Sequence, residues 1–323
     1  MSSSSNDDSS SVRDSIDRVH HDDHDDRTNL LDSKRRQPKR SRTLTWSEIP
    51  EWMQDNVFIT AGYRAPTNSY VRCAQSLFYL HNESVNIWSH LLGFIAFCGL
   101  GIHFLWSQPF ADSLKVSDYV YFVAFIFGAL VCLGFSSSFH CFSCHSEPVA
   151  ARWNRCDYAG ITTLIVGSFY PLLYYGFHCH PILHIFYLVV ITVLGGVTAA
   201  FVLLKRFRTP AYRWMRTGLF LALGLFGAVP TLHGIFLYGW KSSLQTISLG
   251  YLVLMAVAYV TGALIYGHRV PERWYPGSFN IWMASHQIFH IFVLIALFSH
   301  YIGVMKAMAF WHGQDRLLCN KFV

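Results

Sequence analysis

The chain has 323 residues, of which 52% are hydrophobic and only 14% are charged. Soluble domains usually carry about 25% charged residues, so this composition excludes an ordinary soluble protein and predicts an all-α integral membrane protein. The formal net charge is +6. Because the Lys and Arg residues lie in patches between apolar runs, we expect no nucleic acid partner.

The first fifty residues hold many of the charges and no apolar stretch, so they do not predict a cleavable signal peptide. Residues 1–45 are rich in Ser, Asp and Arg and lack hydrophobic periodicity, which predicts a disordered tail. Residues 46–85 mix aromatic and acidic residues and are predicted to form a juxtamembrane segment at the interface. The eight cysteines are spread along the chain, and several lie inside apolar runs. They do not indicate a secreted disulfide framework.

Seven apolar runs follow, each long enough to cross a bilayer as a helix. They lie at residues 86–106, 119–140, 157–177, 182–204, 217–238, 247–266 and 281–301. We therefore predict a seven-transmembrane helix bundle at residues 86–304 and a short tail at 305–323.

Basic residues in the connecting segments predict the orientation of the bundle, since Lys and Arg favour the cytosolic side. They are frequent before run 1 and between runs 2 and 3, 4 and 5, and 6 and 7, whereas the alternate loops carry only Lys115 and Lys241. The N-terminus is therefore predicted to be cytosolic and the C-terminus non-cytosolic. This orientation is opposite to that of G-protein-coupled receptors.

His286 and His290 lie four residues apart in run 7, so they share one face of a helix, one turn apart. The predicted topology brings His140, at the foot of run 2, and Asp157, at the start of run 3, to the same cytosolic depth. Ionisable residues inside a membrane indicate a functional site. Three His nitrogens and a water would form an open zinc site of the catalytic kind, and Asp157 would hold that water or take its proton.

Cys144 offers an alternative, because on a continued helix it would share a face with His140. As a fourth ligand it would close the zinc site and make the metal structural rather than catalytic. Run 7 has no Lys for a Schiff base, which argues against a retinal protein.

Five short motifs lie along the chain in this order: 82–90 (NESVNIWSH), 137–140 (SSFH) with 144–147 (CHSE), 157–161 (DYAGI), 269–274 (RVPERW) and 285–290 (SHQIFH). They resemble the motifs of the progestin and adipoQ receptor family, in its adiponectin-receptor and heptahelical branch, which is distantly similar to hemolysin III proteins. The resemblance runs from about residue 52 to about residue 301 and does not cover the N-terminal tail.

The resemblance implies a seven-helix bundle in which His140, His286 and His290 hold zinc. It also implies that Asp157 contacts the zinc-bound water and that Ser136, one turn before His140, lines the same pocket. Members of this family are associated with ceramidase-like amide hydrolysis, with sterol, fatty-acid or zinc homeostasis, and with hormone signalling in animals.

We therefore expect a multi-pass protein of the plasma membrane or an endomembrane that hydrolyses a lipid amide with zinc, Asp157 and Ser136. The alternatives are a receptor whose zinc is structural and a regulator of metal uptake. The expected partners are membrane lipids of the ceramide, sterol or fatty-acid type. An extracellular ligand and homo-oligomerisation stay open.

Overall fold

The computed structural model describes residues 42–107, 113–313 and 319. Most of the predicted disordered tail therefore lies outside the described residues. A two-stranded antiparallel sheet joins β1 (Leu44–Thr45) to β2 (Ala61–Tyr63). Short 3-10 helices lie at Trp46–Glu48, Glu51–Met53, Ser76–Phe78, Lys205–Arg208 and Pro210–Tyr212. The α-helices of the described residues are α1 (Tyr70–Gln75), α2 (Ser84–Ser107), α3 (Val116–Phe142), α4 (Glu147–Gly176), α5 (Pro181–Val202), α6 (Arg213–Leu225), α7 (Ala228–Tyr238), α8 (Trp240–Thr246), α9 (Leu249–His268) and α10 (Ser285–His312).

Six helical segments are long and apolar enough to cross a membrane: α2, α3, α5, the segment Pro210–Tyr238, α9 and α10. Their outward faces carry exposed apolar side chains such as Phe127, Val193 and Phe236. A helix satisfies its own backbone hydrogen bonds, which is what a bilayer requires of a spanning segment. The protein is thus an all-α, multi-pass integral membrane protein.

The helix α4 has 30 residues, which is enough to cross a bilayer, but its first third is polar. The predicted run 3 began at Asp157, whereas the helix begins at Glu147 and includes Arg152 and Arg155. Asp157 therefore lies inside the helix rather than at its start. Counting α4, the bundle matches the seven predicted runs; the seven-span count and the orientation stay predictions.

Two other predicted boundaries differ from the structure. The predicted run 5 is broken at Phe226 and Gly227, between α6 and α7. Pro230, near the start of α7, has no backbone N–H to continue the α6 ladder. The helix α10 extends to His312, well past the predicted end of run 7 and into the predicted tail.

Close backbone contact holds α3 against α4. A Cβ atom at Gly160 would lie 2.9 Å from Cys132 Cα, and one at Gly167 would lie 2.8 Å from the Ala124 carbonyl oxygen. Only glycine allows this approach. It brings the helix that carries Asp157 next to the helix that carries His140.

One disulfide joins Cys179, between α4 and α5, to Cys319. The sequence does not predict this pair. The other six cysteines are free thiols, so there is no wider disulfide framework.

Candidate metal centre

Three histidines from two helices converge at one point. His140 lies near the end of α3, and His286 and His290 lie in the first two turns of α10. One ring nitrogen of each lies within 4.8 Å of the others, so the group could hold a metal ion. His140 Nε2 and His286 Nε2 are 3.2 Å apart. Two nitrogens bound tetrahedrally to zinc at their usual bond lengths would be separated by about 3.3 Å, so the residues present fit the ion.

Hydrogen bonds select which nitrogen is free to bind in two of the three rings. His140 Nδ1 lies 2.7 Å from Glu83 Oε2, and His290 Nδ1 lies 3.2 Å from the Asn86 carbonyl oxygen. Because a carboxylate and a carbonyl only accept, both Nδ1 atoms donate a proton. The lone pair of each ring is therefore on Nε2, the atom available to a metal.

A buried carboxylate fixes the start of α10. Glu272 accepts hydrogen bonds from the backbone N–H of Ser285 (2.7 Å) and from the Ser285 hydroxyl, and Asn56 donates to the same carboxylate (3.0 Å). Glu272 is fully buried. A negative charge at a helix N-terminus is stabilising, and here it sets the position of His286, the next residue.

A buried guanidinium performs the equivalent task at the end of α3. Arg64 donates to the carbonyl oxygens of His140 and Cys141 and to the hydroxyl of Ser76, the last two at 2.8 Å. The last carbonyls of a helix have no partner within it. Arg64 satisfies two of them and so holds the turn that carries His140.

Asp157 and Ser136, predicted from the sequence to act with the histidines, are both buried and line the same cavity as His286 and His290. Ser136 and Asp157 line this cavity together, and Asp157 is close enough to His140 for their charges to interact. The structure thus brings together all five predicted site residues.

The site lies where two cavities meet. The first, about 170 Å³, is apolar and is lined by such residues as Phe220, Leu221, Leu225, Met255 and Val260. The second, about 410 Å³ and here called the polar vestibule, is lined by such residues as Asn56, Glu83, Asn154, Arg269 and Glu272. His140 lines only the vestibule, His290 only the apolar cavity, and His286 both.

Arg216 and Asp157 also line both cavities. The Arg216 guanidinium is buried, lies over the Tyr158 ring at 5.1 Å and donates to the Thr209 carbonyl oxygen at 2.8 Å. A polar strip therefore separates an apolar space inside the bundle from a polar one at its end.

Cys144 does not belong to this site. The helix α3 ends at Phe142, so the helical face that would align Cys144 with His140 does not continue. The Cys144 thiol is buried and donates to Cys73 Sγ at 3.5 Å. That hydrogen bond, together with one to Thr67, lowers the pKa of the Cys73 thiol to about 6. The prediction of a fourth, closing ligand is therefore not supported by the geometry.

Sequence reasoning missed several residues that orient the histidines: Arg64, Glu83, His90 and Glu272. The His90 ring stacks on the His290 ring with centroids 3.7 Å apart. Three of the four lie within the motifs at 82–90 and 269–274, which was the signal available. Arg64 lies in no such motif, and its role depends on a contact with a segment 76 residues away.

Residues 78–301 match the model of the Haemolysin-III related family. The chain is 46% identical over 261 residues to the adiponectin receptor protein of Drosophila melanogaster, covering 81% of this chain and 58% of the relative. It is 41% identical over 271 residues to the progestin and adipoQ receptor-like protein 1 of Caenorhabditis elegans, covering 84% and 62%. It is 39% identical over 287 residues to the heptahelical transmembrane protein 1 of Arabidopsis thaliana, covering 87% and 85%.

The chain belongs to the progestin and adipoQ receptor family. It is an adiponectin-receptor-like membrane protein, and motifs that carry this resemblance lie around the three histidines. Because the chain spans only about 60% of the length of the two animal relatives, their activities and partners do not transfer directly.

Proposed function

We propose that this protein hydrolyses the amide bond of a membrane lipid of the ceramide type, using zinc held by His140, His286 and His290. The observation that carries the proposal is the position of these histidines and Asp157 at the junction of the apolar cavity and the polar vestibule. A lipid amide has the same division, since an acyl chain lies on one side of the scissile bond and a polar headgroup lies close to it on the other.

Three histidine ligands leave one tetrahedral position for water or substrate. Bound zinc would polarise the amide carbonyl and lower the pKa of its water towards about 7. Asp157 would accept the proton of the attacking water and return it to the departing amine. Ser136, which lines the same cavity as Asp157, would hold the carboxylate in position for both transfers.

The two cavities suit the two halves of this substrate. The acyl chain would enter the apolar cavity between α4, α6 and α9, whose lining side chains include Phe220, Leu221 and Met255. The vestibule would admit water from the polar side. Arg216, at the boundary, can donate hydrogen bonds to the headgroup or to the carboxylate that is released.

A second candidate is a receptor in which zinc only ties α10 to α3. The observation in its favour is that the ligands come from these two helices, so that a bound metal would crosslink them. A lipid or sterol in the apolar cavity would then be a signal rather than a substrate. Regulation of metal uptake would use the same site with zinc as the sensed species.

The comparison of Asp157→Asn with His286→Ala separates the two candidates. Asparagine has nearly the shape of aspartate but cannot accept the proton, whereas His286→Ala removes a ligand. In a hydrolase, Asp157→Asn keeps its zinc and loses about 10²–10⁴-fold in ceramide turnover, the usual contribution of general acid–base catalysis. His286→Ala loses zinc and turnover together. Purified protein with short-chain ceramide, and metal analysis of each variant, gives both measurements.

A chelator-treated sample of the parent protein, assayed with and without added zinc, is the control for metal dependence. Unchanged turnover in Asp157→Asn would contradict the assigned role of this residue. A zinc-loaded parent that turns over no lipid amide would favour the receptor candidate.

A further inference from the structure

Glu83 is a carboxylate that the hydrolytic mechanism above does not use. It immediately precedes α2 in the chain, and its Oε2 atom accepts a hydrogen bond from His140 Nδ1 at 2.7 Å and another from Asn86 Nδ2 at 2.6 Å. His140 itself is 3% exposed. Glu83 and His140 are 57 positions apart in the sequence, so the contact is made by the tertiary fold rather than by local structure.

A carboxylate bound to Nδ1 has two effects on a ligand histidine. It fixes the tautomer with the lone pair on Nε2, and it raises the basicity of that atom while it restrains the ring. His140 Nε2 is the atom that faces His286 Nε2 at 3.2 Å. The ring is thus held in the one orientation that completes the three-nitrogen group.

We propose that Glu83 is the positioning residue of the metal centre, forming a carboxylate–histidine–metal arrangement through His140. This inference rests on the zinc site of the proposed function, but not on the reaction. Glu83 does not serve as a second general base, because the oxygen that faces the site is already occupied by His140 and Asn86. It acts only through the histidine.

The same stretch orients His290. Its Nδ1 lies 3.2 Å from the Asn86 carbonyl oxygen and 3.3 Å from the Ser89 hydroxyl, and the His90 ring stacks on it at 3.7 Å. Residues 83–90 therefore restrain two of the three ligand rings, one through a side-chain charge and the other through a backbone carbonyl. A side-chain substitution removes the Glu83 hydrogen bond to His140 completely, whereas His290 keeps the Asn86 carbonyl even when the Ser89 hydroxyl is removed, so Glu83 is the residue to test.

The test measures zinc affinity of the purified full chain by competition with a chromophoric chelator, for Glu83→Ala and Glu83→Gln. The exposed carboxylate of Glu48, which lines neither cavity, supplies the matched control, Glu48→Ala. Removing an outer-shell partner costs about 10–100-fold in metal affinity, so we expect this loss in Glu83→Ala. In Glu83→Gln the amide oxygen still accepts from Nδ1–H without the charge, so we expect a smaller loss. Glu48→Ala should bind zinc as the parent does.

Cobalt loaded in place of zinc reports the geometry, since its visible absorption depends on how the ligands are arranged. We expect an altered spectrum in Glu83→Ala and partial restoration in Glu83→Gln. A merely structural role would lower the thermal midpoint of the chelator-treated protein without this graded change in the spectrum. If Glu83→Ala does not fold, Glu83→Gln decides, because it is nearly isosteric.

The inference is overturned if Glu83→Ala, or Glu83→Gln where only that variant folds, binds zinc within about twofold of the parent with the same cobalt spectrum. It is also overturned if both variants fail to fold, since Glu83 would then support the fold itself. A parent that binds zinc but hydrolyses no lipid leaves the inference intact and removes only the proposed reaction. A parent that binds no zinc removes both.

Discussion

Arg64 is a charged residue that is only 2% exposed. The N–H groups of its planar guanidinium donate to several acceptors at the end of α3. It donates to the carbonyl oxygens of His140 and Cys141 and to the hydroxyls of Ser76 and Ser143. Lysine keeps the charge but has no planar fork. We expect Arg64→Lys to lose about 1.5–3 kcal/mol, the contribution of one hydrogen bond to a charged group, and to bind zinc more weakly as His140 loosens.

The thermal midpoint and zinc content of Arg64→Lys, beside those of Arg72→Lys, check this expectation. Arg72 is exposed on α1 and serves as the matched control. Equal thermal midpoints for the two variants would show that the Arg64 guanidinium does not stabilise the last turn of α3.

Cys144 makes a residue-scale prediction about whether the metal site is open. Its thiol is engaged with Cys73, and the chain leaves α3 before reaching it. We expect Cys144→Ser to keep about one zinc per chain, as the parent does, because three histidines hold the ion. Metal analysis beside His290→Ala checks this. Equal losses of zinc in the two variants would restore Cys144 as a ligand.

At the scale of whole elements, the approach of α3 to α4 determines how far Asp157 lies from the histidines. A Cβ at Gly160 would lie 2.9 Å from Cys132 Cα, which is backbone that cannot move aside alone. We expect Gly160→Ala to force the helices apart and to cost about 1–3 kcal/mol, as overpacking does. Turnover should fall more than zinc content, because Asp157 is on α4 whereas the ligands are on α3 and α10.

Gly196, on α5, is the control for this change, since a Cβ there would meet no atom within 4 Å. Gly196→Ala should be neutral or slightly stabilising because alanine has the higher helix propensity. Thermal midpoints, zinc content and ceramide turnover of the two variants provide the comparison. A Gly160→Ala protein with parental turnover would contradict the assigned spacing.

For the whole molecule, the disulfide bears on the orientation. Asp157 and Cys179 are separated by most of α4, about 30 Å of helix, so the disulfide lies at the end of the bundle remote from the histidines. Disulfides form and persist in oxidising compartments. This placement favours the orientation predicted from the basic residues, with the histidines towards the cytosol.

We therefore expect Cys179 and Cys319 to react with a membrane-impermeant maleimide from the non-cytosolic side only after reduction. An N-terminal tag should be protected in the same intact cells, whereas a C-terminal tag should be accessible. Asn82, within a glycosylation sequon before α2, should carry no glycan. A glycan at Asn82, or a labelled N-terminus, would reverse the orientation.

The amino-acid sequence alone was sufficient to predict the membrane class and the long apolar helices, because apolar runs of this length form helices when they cross a bilayer. It also predicted that His140, Asp157, His286 and His290 would meet. The helical spacing of His286 and His290 is local, and alternating chain direction brings the other two to the same depth. The predicted helix boundaries were wrong where a polar turn extends a helix, as at Glu147, because hydropathy detects only the apolar part of the helix.

Only the tertiary structure decided what orients the site and what it opens onto. The bonds from Glu83 to His140, from Arg64 to the end of α3 and from Asn56 to Glu272 join segments 57, 76 and 216 residues apart. The periodicity of the sequence cannot predict such a contact, because each contact depends on the relative positions of helices and loops in the folded protein. The end of α3 before Cys144 and the meeting of the two cavities likewise depend on the tertiary fold. The sequence determined which groups could bind a metal, and packing determined that three of them face one another.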